Sequence, residues 1–90
     1  MKRKELVKYL LEQGYEYKNA NVVSKKYKIK AAGDFVPNNT VTIEYTFKKS
    51  MLDVYYVFVN KSIKRFKART KNLNINKDGQ LVGLKSLDKD

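Results

Sequence analysis

Residues 61–71 carry six basic side chains and no acid: Lys61, Lys64, Arg65, Lys67, Arg69 and Lys71. A cluster of this kind can neutralise phosphates and release their counterions, which gives sequence-tolerant, salt-dependent affinity for nucleic acid. Lysine acts there as a point charge, whereas the planar forks of Arg65 and Arg69 suit bidentate contacts. A second stripe, Lys26, Lys28 and Lys30, recurs at every other residue and falls on one face of an extended strand. Tyr55 completes the set, because a tyrosine on an open sheet face can stack a base. These ten residues are the candidate nucleic-acid contacts.

Other chemistries are poorly supplied. The chain has no cysteine and no histidine, which removes disulfides, thiolate nucleophiles, the commonest general base and the commonest metal ligand. Its acids are scattered, and its four glycines sit singly rather than in a phosphate-binding loop. Glu44 and Asp53 are the closest approach to a catalytic pair, on the back face of a hairpin, and a solvated pair balancing lysines is the simpler reading. No enzyme activity, cofactor or metal is expected.

The charge balance points outward, to a partner. Twenty Lys plus Arg stand against nine Asp plus Glu among 90 residues, a net charge of +11. An A+T-rich genome would favour lysine over arginine, but it does not require a shortage of acids. A polyanion, DNA or RNA, is therefore the expected partner. The longest apolar run, Val54 to Val59 in sequence, is far below the roughly 20 residues of a membrane-spanning helix. The basic start at Met1 to Lys4 leads into a segment broken by Lys8, unlike a secretory leader. A cytoplasmic protein with no membrane association is expected, as one domain over residues 1–90.

The elements that position these residues follow from periodicity. Leu6, Val7, Leu10 and Leu11 share a helical face over residues 3–13, and Gly14 stands where a left-handed cap belongs. Residues 15–23 give no clear pattern beyond a turn at Asn19-Ala20-Asn21. Residues 24–31 alternate as a strand, with Tyr27, Ile29 and Ala31 opposite the three lysines, and Gly33-Asp34 and Pro37-Asn38-Asn39 form a reversal. Residues 40–48 and 51–60 read as a hairpin around Lys49-Ser50. It pairs Val41 with Phe58, Ile43 with Tyr56, Tyr45 with Val54 and Phe47 with Leu52. Residues 61–71 read as a short helix with Ile63 and Phe66 inward, a strand being the competing form. Positive charge in that helix's first turn would oppose its dipole unless an anion sat there. Asp78-Gly79 predicts a two-residue turn pairing Ile75 with Val82 and Leu73 with Leu84. Residues 85–90 read as a frayed polar end. The expected fold is α+β: one N-terminal amphipathic helix packed on an antiparallel sheet of three to five strands, with a short basic helix after the third main strand.

The order helix, three strands, basic helix resembles that of double-stranded-RNA-binding domains. Lys61, Lys64 and Arg65 lie where that family's second helix grips phosphates. The opening residues 1–14 are similar to the start of HicA-type toxins, which share the topology. That family's catalytic histidine, in a Gly-Ser-His motif, has no counterpart here, so RNA cleavage does not carry over, and no family is assigned. The expected function is a non-enzymatic nucleic-acid-binding accessory or regulatory protein, with a homodimer through the apolar back face of the hairpin as one arrangement. The alternative is a phage or mobile-element inhibitor or adaptor that binds a protein or nucleoprotein partner.

Overall fold

The computed structural model describes residues 1–28, 40–59 and 61–87. Helix α1 (Arg3–Glu12) is followed by β1 (Glu16–Asn19), β2 (Val22–Lys28), β3 (Thr40–Phe47), β4 (Met51–Phe58) and β5 (Ile63–Arg69). A 3-10 turn (Thr70–Asn72) then leads to β6 (Asn74–Ile75), β7 (Leu81–Val82) and β8 (Lys85–Ser86). The architecture is α+β, with a six-stranded antiparallel sheet in the order β1-β2-β3-β4-β5-β8 and a separate β6-β7 ribbon. The sheet is thus wider than the three to five strands expected.

Helix α1 buries Leu6 and Leu10, one helical turn apart, and leaves Leu11 41% exposed, so its apolar stripe is narrower than expected. Its end is a Schellman motif. Gly14 takes φ +95°, its N–H donates to Leu11 O (3.1 Å), and Tyr15 N–H donates to Leu10 O (3.0 Å). Arg3 fixes the other end, donating to Asn21 Oδ1 (3.2 Å) with its guanidinium 5.1 Å from the Phe47 ring centre.

The β3-β4 hairpin has the register read from sequence: Val41 opposite Phe58, Ile43 opposite Tyr56, Tyr45 opposite Val54 and Phe47 opposite Leu52. Lys48 and Met51 exchange backbone hydrogen bonds of 2.9 and 3.3 Å, closing a two-residue loop at Lys49-Ser50. Residues 15–23 contain β1 and the start of β2, turned by the Asn19 side chain accepting from Asn21 N–H (2.9 Å). The reversal expected around residues 33–39, and Ile29, Lys30 and Ala31 beside it, lie outside the described residues.

Three expectations are corrected. Residues 63–69 form a strand, not a helix, because β4 presents a free edge that β5 satisfies over seven pairs from Met51/Arg69 to Val57/Ile63. Ile63 consequently lies 53% exposed rather than inward, while Phe66 and Ala68 take the core side. With that helix gone, the order of elements no longer matches that of double-stranded-RNA-binding domains. The last hairpin pairs Ile75 with Leu81 and Asn74 with Val82, one residue off the expected register. Asn76 N–H bonds Gln80 O (2.9 Å) across a three-residue loop with Gly79 at φ +76°, the bulged alternative to a two-residue turn. The shift turns Leu81 toward the core and Val82 outward, and puts Gly83 where a Cβ would lie 2.5 Å from Asn72 O. Finally, Lys85–Ser86 form an edge strand on β5 instead of fraying.

All the large, fully buried side chains lie on the helix side of the sheet. Leu6, Leu10, Val23, Leu52 and Val54 are enclosed there, each contributing about 1.5–3 kcal/mol by burial. Tyr15 and Tyr45 pack edge to face at 5.4 Å, and Tyr27 donates to the Tyr15 hydroxyl (3.2 Å). Burial pushes the Tyr15, Tyr45 and Tyr56 hydroxyls above the ordinary tyrosine range, so they stay protonated.

Candidate nucleic-acid interface

Strand alternation sorts the candidate residues onto two faces. Lys26 and Lys28 on β2, opposite Thr42 and Thr40, project from the side away from α1. Arg65, Lys67 and Arg69 on β5, opposite Tyr55, Asp53 and Met51, project from the same side. Among the described residues no helix or strand covers this open face. Tyr55 is half-buried near its centre, in a row that runs Glu16, Ser24, Glu44, Tyr55, Arg65.

The remaining basic candidates do not join them. Lys64 stands opposite Tyr56 and so points to the helix side. Lys61 occupies the turn between β4 and β5 at φ +66°, its N–H bonded to Phe58 O (2.9 Å). Lys71 sits in the 3-10 turn, beside Met1 and Glu5. Lys30 lies outside the described residues. Residues 61–71 are therefore one basic segment in sequence and two surfaces in space, divided by the alternation of β5.

Two further lysines belong to the open face. Lys18 binds the Glu44 carboxylate (2.6 Å). Lys85 of β8 lies directly opposite Lys67, and neither ammonium has an ion-pair partner among the described residues. Nothing in the sequence pointed to this juxtaposition, since a two-residue edge strand has no readable period. The local acids are matched separately. Asp53, 7% exposed, binds Lys48 (2.6 Å), and that hydrogen bond raises the Lys48 ammonium above its usual range. Glu44 and Asp53 are thus each held by a lysine of their own. Among the described residues no cluster of acids could hold a metal ion.

The helix side offers openings of another kind. A cavity of about 350 Å³ lies between α1, the sheet and the β6-β7 ribbon, lined by Tyr9, Tyr15, Tyr27, Tyr45 and Tyr56. Tyr9 reaches across from α1 to the β6-β7 loop there, donating to Gly79 O (2.7 Å). A shallow groove beside α1 is lined by Val7, Leu11 and Tyr17 together with charged residues of both signs, Arg3, Lys4, Lys8 and Glu12.

The chain matches no protein-family model, no curated protein and no solved structure. No described helix is long and apolar enough to cross a membrane.

Proposed function

We propose that this is a non-enzymatic, cytoplasmic nucleic-acid-binding accessory or regulatory protein that neutralises phosphates with the open face of its sheet. The observation that carries the reading is the Lys67/Lys85 pair, two like charges directly opposed across a ladder with Arg65 and Arg69 along the same strand. Like charges so placed destabilise a sheet, and a phosphate between them removes the penalty. The net charge of +11 would speed the approach of any polyanion.

The test is fluorescence anisotropy with labelled DNA and RNA over about 50–200 mM salt. Replacing Arg65, Lys67, Arg69 and Lys85 by glutamine together weakens binding and lowers the salt slope by about one for each phosphate left unneutralised. Lys64→Gln, on the other face, leaves affinity nearly unchanged. An unchanged affinity in the four-site variant would remove the open face from the proposal.

A second reading, an inhibitor or adaptor of phage or mobile-element type, is favoured by one observation. Ile63 and Leu87, 53% and 49% exposed, place large apolar side chains on the same face. Absence of nucleic-acid binding at the lowest salt, with co-purification of a defined protein or nucleoprotein complex, would choose it.

A further inference from the structure

We infer that the nucleic acid taken by the open face is single-stranded, with its phosphates along β5 and a base stacked on Tyr55. This assignment rests on the nucleic-acid reading above and adds the form of the ligand. The cations are not carried by a protruding helix or ribbon. They stand on the surface of a sheet whose six strands, about 4.8 Å apart, span about 24 Å, roughly twice the 12 Å width of a DNA major groove. Such a face cannot enter a groove. Against a cylinder it makes only a narrow line of contact, and the aromatic beside its cations then meets no exposed base.

An extended single strand fits the same surface. Arg65, Lys67 and Arg69 repeat along β5 at about 6.8 Å, two residues of strand rise, with Lys85 alongside Lys67. One strand over, Tyr55 lies directly opposite Arg65, and Val57 follows it on the same side. A phosphate over Arg65 therefore leaves its base above Tyr55 on β4, while those over Lys67 and Arg69 leave theirs above the ion-paired Asp53 and above Met51. Base stacking on such a ring tolerates any sequence, as phosphate neutralisation does. Among the described residues, the two acids that β3 and β4 place on this face are already ion-paired, Glu44 with Lys18 and Asp53 with Lys48.

The experiment compares labelled single strands of DNA and RNA, about 15 nucleotides long, with duplexes of the same sequence at one salt concentration. The single strands bind about tenfold more tightly than the duplexes. Tyr55→Leu lowers single-strand affinity about tenfold, the effect of removing one stack, and leaves duplex affinity unchanged. Tyr55→Phe keeps the ring and retains wild-type behaviour. Should the leucine variant fail to fold, the wild-type ratio and the phenylalanine variant still decide. Duplex binding as tight as single-strand binding, or an equal weakening on both from Tyr55→Leu, overturns the single-strand assignment while the nucleic-acid reading stands. No binding to any probe, repeated at about 50 mM salt, overturns both.

Discussion

The two faces of the sheet are built from alternate residues of the same strands, and they have opposite characters. Toward α1 lie Val23, Tyr45, Phe47, Leu52 and Val54, all buried; away from it lie Thr42, Glu44, Tyr55, Arg65 and Lys67, half-buried or exposed. Stability is concentrated on the first face, so the second can hold charge at little cost to folding. Asp53 bridges the two roles, being buried within the open face but ion-paired with exposed Lys48.

That division of labour fails most visibly if truncation hurts both faces equally. Leu52→Ala, at a fully enclosed site, should cost about 2–5 kcal/mol, whereas Ile63→Ala on the open face should stay within about 0.5 kcal/mol. Urea unfolding followed by circular dichroism would show whether the two differ.

A smaller effect tests the helix side by pH. The Tyr15 and Tyr45 hydroxyls are raised above the ordinary tyrosine value of 10.0, chiefly by burial. In the unfolded chain they ionise near that value, while in the folded protein they keep their protons. Their stabilisation is therefore complete below about pH 10 and falls as pH rises through their folded values. Tyr45→Phe should flatten the decline of stability between about pH 9 and 11, measured as urea midpoints. An unchanged slope would mean that the decline arises elsewhere.

The smallest effect concerns the charges of the open face. Lys67→Ser, which relieves the repulsion with Lys85, should raise stability by about 0.2–1 kcal/mol in low salt and by less as salt screens the pair. The same substitution should weaken nucleic-acid binding. Stability and binding moving in one direction would argue against a site whose charges are placed for a ligand.

Legibility from sequence followed the same division. The β3-β4 register could be read because β3 alternates over all eight of its residues, so a one-residue slip would place its apolar residues and their partners on β4 on opposite faces. Residues 61–71 could not, because their core side is Lys64, Phe66 and Ala68, a pattern with too little apolar contrast to reveal a period of two. The three-residue spacing of Ile63 and Phe66 suggested a helix, although positive charge in its first turn already counted against one. At Asp78-Gly79 the turn chemistry was visible but its length was not. The Asn76 side chain, accepting from Asp78 and Gln80 N–H at 3.0 and 2.9 Å, selects the longer loop. The candidate site was legible as a set of cations. Its division between faces and the Lys67/Lys85 contact arise only from strand pairing.

The hydrogen bond from Tyr9 to Gly79 spans 70 residues of sequence. The meander from β2 to β5 is connected by short-range pairings, except across the β2-β3 connection, and can assemble early. Helix α1 leaves the ribosome ahead of the sheet, yet Leu6 and Leu10 must wait for Leu52, Val54 and Leu73 before they are covered. Covering the apolar stripe of α1 thus takes contacts of high sequence separation, whose loop-closure cost must be met before they stabilise the fold.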